Sequence, residues 1–193
     1  MEEIYCLIMA GGSGTRFWPR SRTEKPKQYL NLFGRDSLLE STISRFSRFM
    51  DYQNIYIVSG KNQAQVLEEQ TPMIPGENLI YEPVGKNTLP CIGLAAVLAE
   101  KENPDGIMVV SPSDHLVKDE GLFRETVLSA ARLANEKEGI VTIGITPSYP
   151  ATGYGYIQVD HELEGNEKIK QYKVKRFVEK PDHETASSYL QKG

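Results

Sequence analysis

Ile4-Tyr5-Cys6-Leu7-Ile8-Met9-Ala10-Gly11-Gly12-Ser13-Gly14-Thr15-Arg16-Phe17-Trp18-Pro19, with Lys25-Pro26-Lys27-Gln28 close behind, is the stretch that decides the fold. The apolar run from Ile4 to Ala10 is short, continuous and met at once by glycines, which marks a buried first strand. Gly11, Gly12 and Gly14 permit a backbone that a Cβ would obstruct, through positive φ or close approach to a ligand. Successive free N–H groups in such a turn form a concave anion site. Arg16 adds a fork of donors suited to phosphate, and Lys27 adds a point charge. The expectation is a cradle for a phosphorylated ligand; the alternative is a ligand-free turn between strand and helix. The spacing excludes two familiar cradles. Phe17 stands where a G-x-G-x-x-G fingerprint needs its third glycine, and no G-x-x-x-x-G-K-[ST] run exists.

The 193 residues suit one domain and are ample to bury a core. A hydrophobic content of 39% with 25% charged residues is ordinary for a soluble globular protein. A net charge of −4 implies no general affinity for nucleic acid or membrane. Between residues 11 and 48, however, basic residues outnumber Glu24, Asp36 and Glu40, which fits a small anionic ligand near the N-terminus. Cys6 and Cys91 are too few for a disulfide framework and lack metal-ligand spacing, so both read as core residues. The N-terminal apolar run is too short for a secretory signal or a membrane span, so a cytoplasmic location is expected.

Outward from the loop, strands and helices alternate. Asp36 or Ser37 can cap a helix carrying Leu39, Ile43, Phe46 and Met50 on one side, with Ser37 and Glu40 at capping-box spacing. Ile55 to Ser59 reads as a second strand closed by Gly60, and a polar helix then runs to about Gln70. Asn78 to Glu82 is a short strand, and Thr88 to Glu102 a helix with Pro90 tolerable in its first turn. Gly106 to Val110, Leu122 to Lys137 and Ile140 to Ile145 are expected as strand, helix and buried strand. This alternation predicts an α/β fold, a Rossmann-like, mainly parallel sheet flanked by helices. After Thr146 the pattern changes: Gly153 to Val159 and Ile169 to Val178 read as β segments around a polar turn, before a helix that Asp182 can cap.

In doubly wound sheets ligands bind beyond the carboxyl ends of the strands, and the chemically suggestive residues obey that rule. Glu82, Asn87 and Thr88 follow the third strand; a carboxylate there can accept the adjacent N1–H and N2–H donors of a guanine. The alternative is a loop whose Glu82 and Asn87 merely cap the next helix. Asp114 follows the fourth strand and is the metal-ligand candidate, since Mg²⁺ is often held by one or two carboxylates with substrate phosphates and waters. Its alternative is a turn or helix cap.

Ala10-Gly11-Gly12-Ser13-Gly14-Thr15-Arg16-Phe17-Trp18-Pro19 with Lys25-Pro26-Lys27-Gln28 resembles the signature of the sugar-nucleotide pyrophosphorylases, most closely that of the bacterial mannose-1-phosphate guanylyltransferases. Glu82-Pro83-Val84-Gly85-Lys86-Asn87-Thr88-Leu89-Pro90 resembles their Glu-Pro-x-x-Arg-Asn-Thr-x-Pro motif, departing at Lys86 and at the following Cys91. Pro112-Ser113-Asp114-His115 resembles their Pro-x-Asp-His element, and Thr152-Gly153-Tyr154-Gly155 with Glu179-Lys180-Pro181 their sugar-binding half.

The resemblance implies a nucleotide-diphospho-sugar transferase type of fold. It implies one catalytic domain, with a nucleotide-binding half to about residue 145 and a sugar-phosphate half from about 146. It further implies GTP and mannose 1-phosphate as substrates, GDP-mannose as product and Mg²⁺ as cofactor, and leaves a homodimer open. Ala10, Gly11, Gly12, Ser13, Gly14, Thr15, Arg16, Glu82, Asn87 and Thr88 would bind the nucleotide, and Gly153, Tyr154, Glu179 and Lys180 the sugar phosphate. Arg16, Lys27 and Asp114 would be catalytic through positioning and charge neutralisation, with Asp114 on the metal. The family is longer and takes a second metal-binding Asp from a later strand, which nothing before Gly193 matches. The chain therefore reads as an N-terminal portion, truncated in its sheet and metal site. Rival readings are the same chemistry with another nucleotide or sugar phosphate, and a nucleotide-binding domain without turnover. A dehydrogenase is disfavoured by the loop spacing, and a glycosyltransferase by the lack of an Asp-x-Asp.

Overall fold

A computed structural model describes residues 3–12, 17–22, 25–85, 87–163 and 168–192. The chain divides into two compact units, Met1–Gly139 and Ile140–Gly193.

The first unit is built on four strands, β1 (Ile4–Met9), β2 (Ile55–Gly60), β3 (Leu79–Glu82) and β4 (Ile107–Pro112). They lie in the order β3-β2-β1-β4, and every pairing is parallel. Between them run α1 (Leu38–Ser47), α2 (Ala64–Gln70) and α3 (Thr88–Glu102), with α4 (Glu120–Lys137) after β4. Side chains alternate across β1. Cys6, Ile8 and Ala10 join a cluster with Leu39, Ile43 and Phe46 of α1, Leu67 of α2 and Val127 of α4. Tyr5 and Leu7 face the other way, into a cluster with Tyr56, Val58, Ile80, Cys91, Ala95 and Ala99. A strand buried on both faces reads as a continuous apolar run, as this one does.

β1 is thus central, with Ile8 beside Ile57 and Leu7 beside Val110. Sequence order moves outward from β1 through β2 to β3, then returns to the other side at β4. The topological switch point lies between β1 and β4, where ligands of such sheets bind. Helix starts follow local chemistry. Ser37 and Glu40 form a reciprocal capping box, with Glu40 N donating to Ser37 Oγ at 3.1 Å and Ser37 N to Glu40 Oε2 at 2.7 Å. Asp119 accepts from Leu122 N at 2.8 Å, which starts α4 two residues earlier than expected, at Glu120. α1 ends at Ser47, before Met50, which still packs on the core from the following turn.

In the second unit β5 (Tyr156–Glu162) and β6 (Tyr172–Val178) form an antiparallel pair followed by α5 (His183–Lys192). Gly153 to Gly155 and Ile169 to Gln171 lie outside the strands expected to include them. Asp182 accepts from Thr185 N at 2.7 Å, the expected cap. The expected buried strand from Ile140 to Ile145 is not one. No residue in it pairs into a ladder, and Ile140 and Ile145 are 97% and 82% exposed. An apolar run signals burial, whereas a strand exists only where a neighbour supplies N–H and C=O partners, and the run itself does not encode that neighbour. Among the described residues no helix is long and apolar enough to cross a membrane.

Candidate functional site at the switch point

β1 delivers the chain into the glycine-rich loop. Ala10 is fully buried and its N–H still pairs with Val58 O at 2.8 Å, so the loop leaves the sheet only after it. Gly12 has φ +101°, a left-handed conformation that a side chain would strain. Ser13, Gly14, Thr15 and Arg16 lie outside the described residues, as does Lys86.

Glu82, at the end of β3, reaches across the end of β2: a Cβ on Gly11 would stand 3.8 Å from its Oε2. Two sequence candidates from different strands therefore face each other. Asn87 has φ 67° and makes no side-chain cap to α3, so the capping alternative does not describe it. Asn87 and Thr88 are both exposed at the start of that helix. Beneath them Cys91 is buried; burial and then the negative charge of Glu82 push its thiol up to about 11. A thiol so shifted stays protonated at neutral pH and takes no nucleophilic role.

Asp114 lies just past β4, where Ser113 N extends the β1–β4 ladder by donating to Met9 O at 3.2 Å. Its carboxylate pairs with the Lys27 ammonium, at side-chain exposures of 25% and 30%. Such half-open ion pairs contribute of order 1 kcal/mol or less, so the consequence is positional. α1 holds the backbone on either side: Thr42 Oγ1 donates to Ser113 O at 3.3 Å, and Arg45 Nη2 donates to His115 O at 3.1 Å. Arg45 is itself buried, with its guanidinium over the Phe123 ring at 5.4 Å. The His115 side chain is exposed, and its main chain carries the contact.

Lys27 comes from a 3-10 turn, Lys27–Tyr29, that begins after Pro26. Successive side chains of the turn point in different directions. Lys27 goes to Asp114, while Gln28 and Tyr29 are buried behind the glycine loop. Gln28 Nε2 donates to Ala10 O, and the loop's backing by this side chain had no signal in local periodicity. Only the neighbouring Pro-Lys-Gln motif pointed at it.

For a divalent metal the sequence candidate is the Asp114 carboxylate, and no group of three His, Cys, Asp or Glu stands together among the described residues. One half-exposed carboxylate at a strand end fits a hard ion that takes its other ligands from phosphates and water.

In the second unit Gly153 has open space around its Cα, and Tyr154 is exposed. Lys180 has φ 44° and pairs with Glu179 at 3.0 Å, both side chains being solvent-exposed.

A parallel sheet with a glycine loop and a carboxylate at its switch point defines a nucleotide-diphospho-sugar transferase fold. A Nucleotidyl transferase family model matches residues 5–193, and the chain belongs to that family. It is 42% identical over 188 residues to a mannose-1-phosphate guanylyltransferase of Klebsiella pneumoniae, covering 97% of this chain and 40% of that protein. A mannose-1-phosphate guanylyltransferase of Escherichia coli K12 is 39% identical over 196 residues, covering 100% and 41%. Among solved structures, one from Thermus thermophilus described as a "mannose-1-phosphate geranyltransferase" superposes with a TM-score of 0.89 at 33% identity, covering 99% of this chain and 54% of that one. The chain spans about two fifths of the length of the curated relatives it matches.

Proposed function

We propose that this chain carries the nucleotide-binding machinery of a mannose-1-phosphate guanylyltransferase, which converts GTP and mannose 1-phosphate to GDP-mannose and pyrophosphate. One observation carries the reading. Lys27 and Asp114, 87 residues apart, meet at the switch point beside the glycine loop. A cation and a carboxylate meeting beside glycine backbone at one strand edge suit a polyphosphate.

In the reaction a phosphate oxygen of the sugar phosphate attacks the α-phosphorus of GTP in line, and the bond to the pyrophosphate oxygen breaks. The attacking oxygen carries no proton to remove, so no general base is needed. The loop amides hold the phosphates and Lys27 faces the α-phosphate side, while Arg16 is assigned to the leaving phosphates. Asp114 would hold Mg²⁺, which supplies positive charge against the phosphates. Glu82 accepts from the guanine N1–H and N2–H, with Asn87 and Thr88 beside it. Gly153, Tyr154, Glu179 and Lys180 are assigned to the sugar phosphate. The relatives' names favour guanine and mannose over other bases and sugars.

The test is calorimetric titration of the 193-residue protein with GTP, ATP and CTP in Mg²⁺, followed by pyrophosphate release on adding mannose 1-phosphate. Preference for GTP is the expected result. Equal or absent binding of all three nucleotides would overturn the assignment. GTP binding without pyrophosphate release would reduce the chain to a nucleotide-binding unit.

A further inference from the structure

Behind the glycine loop lies a chain of buried polar side chains that nothing in the proposed reaction uses. Gln28 and Ser59 are fully buried, as is Tyr29, and Gln63 nearly so. Gln28 Nε2 faces three oxygens: Ala10 O, Gly12 O at 3.4 Å and Gln63 Oε1 at 3.2 Å. Ser59 Oγ donates to the same Gln63 oxygen at 2.9 Å, so Tyr29 OH, 2.8 Å from Ser59 Oγ, becomes the donor there. The network therefore has one direction: Tyr29 donates to Ser59, Ser59 and Gln28 donate to Gln63, and Gln28 also donates to the loop carbonyls.

That direction has a consequence at the loop. In a trans peptide the C=O and the following N–H point opposite ways. Drawing the Ala10 carbonyl inward turns the Gly11 N–H the opposite way, away from Gln28 and Ser59. The Gly12 carbonyl, in range of the same amide, is drawn to the same side. Gln28 Oε1 is buried without a partner among the described residues. An unpaired buried acceptor is costly, and an apolar residue at this position would avoid it. The donor end is what the position needs.

We propose that Gln28, Gln63 and Ser59 are positioning residues that hold the Gly11–Gly12 backbone with the Gly11 N–H turned from the core toward the ligand. Through the shared turn Lys27–Tyr29 they also hold Lys27 toward Asp114. The ligand side of this inference rests on the nucleotide reading above; the loop-holding side does not. Gln63 touches no ligand candidate and acts through Gln28.

Two readouts separate this role from mere core stability. Without nucleotide, the backbone order parameters of Gly11 and Gly12 are measured by NMR relaxation, well below the melting temperature, in wild type, Gln63→Met and Ser59→Ala. Gln63→Met removes the acceptor that orients Gln28 at similar volume, and the order parameters should fall from the rigid range of about 0.85 toward about 0.6. GTP Kd should rise about tenfold, the effect of one lost buried hydrogen bond, and Gln63→Glu, which keeps the acceptor, should stay close to wild type. Ser59→Ala should shift both in the same direction by a smaller amount, and it decides the matter if Gln63→Met does not fold. Unchanged Gly11 and Gly12 order together with a lowered Tm would overturn the proposal, leaving a purely structural network. A looser loop in a protein that never bound GTP would uphold the loop-holding role and overturn the nucleotide reading instead.

Discussion

Lys27 shows how a residue's chemistry depends on what its neighbours in sequence do. It leaves the 3-10 turn beside two residues that are buried, so its ammonium is held at the rim of the loop rather than left to wander in solvent. Lys27→Met should weaken GTP binding by roughly tenfold or more, the range for a lost charge-assisted hydrogen bond, with isothermal titration as the measurement. Asp114→Asn should act differently. GTP affinity in wild type is expected to fall when EDTA replaces Mg²⁺, and in the variant to be the same in both. An Asp114→Asn protein that kept its Mg²⁺ dependence would exclude Asp114 as the metal ligand. Cys91 is a reporter for the pocket proposed for the base. Burial first and Glu82 second raise its thiol to about 11, so alkylation at pH 8 should be slow. Glu82→Gln removes the second cause, lowers the thiol's pKa and should speed alkylation, read by mass spectrometry. An unchanged rate would separate Glu82 from Cys91 and from the pocket assigned to it. At this scale motif and chemistry pointed to Lys27, Glu82 and Asp114, and the structure sets Lys27 against Asp114 and Glu82 beside Gly11. It was silent on Gln28's hydrogen bonds because the partner Gln63 lies 35 residues away and no spacing rule links them.

At the scale of elements, α1 connects stability to the site. Its Ser37–Glu40 capping box satisfies two N–H groups that the first turn cannot pair, and Ser37 is fully buried. Further along, Thr42 and Arg45 hold the carbonyls on either side of Asp114. Ser37→Ala should cost about 1 kcal/mol, read as a lower urea midpoint at constant slope. The capping box was legible because it is a four-residue pattern, and so were the four parallel strands, each an apolar run closed by glycine or a polar turn. Two things were not. The segment Ile140 to Ile145 has a strand's composition but no ladder partner among the described residues. The join of Thr42 and Arg45 to the Asp114 segment spans about seventy residues and follows only from the parallel packing of β1 and β4 under α1. Local sequence specifies an element's type, whereas its neighbours are specified by which buried faces fit.

Across the whole chain, apolar burial is unevenly shared. Both core clusters lie within Met1–Gly139, drawing on all four parallel strands and their helices. In Ile140–Gly193, Pro181 and Ala186 are the buried apolar side chains among the described residues, while Val159, Val174 and Phe177 of the β5–β6 pair are exposed. What packs there is modest: the Tyr156 and Tyr189 rings at 5.6 Å, with Arg176 over Tyr189 at 5.8 Å. A two-stranded pair is marginal in water unless a packed face or a helix supports it, and local opening costs least where buried apolar contacts are fewest. The two units should therefore not open together. In hydrogen exchange on this 193-residue chain, amides of β5 and β6 are expected to exchange orders of magnitude faster than those of β1 and β2. Limited proteolysis should cut first between residues 140 and 151, where the described backbone enters no helix or strand. A protected piece covering β1 through α4 should remain. Equal protection of β1 and β5 would mean that the two units unfold as one, so that burial in the first unit stabilises the second. In that case the residues assigned to the sugar phosphate would be held as firmly as the glycine loop. The expected gap instead makes Gly153, Tyr154, Glu179 and Lys180, the residues proposed for the sugar phosphate, the ones most open to ordering by ligand, seen as slower β5–β6 exchange when GTP and mannose 1-phosphate are present together.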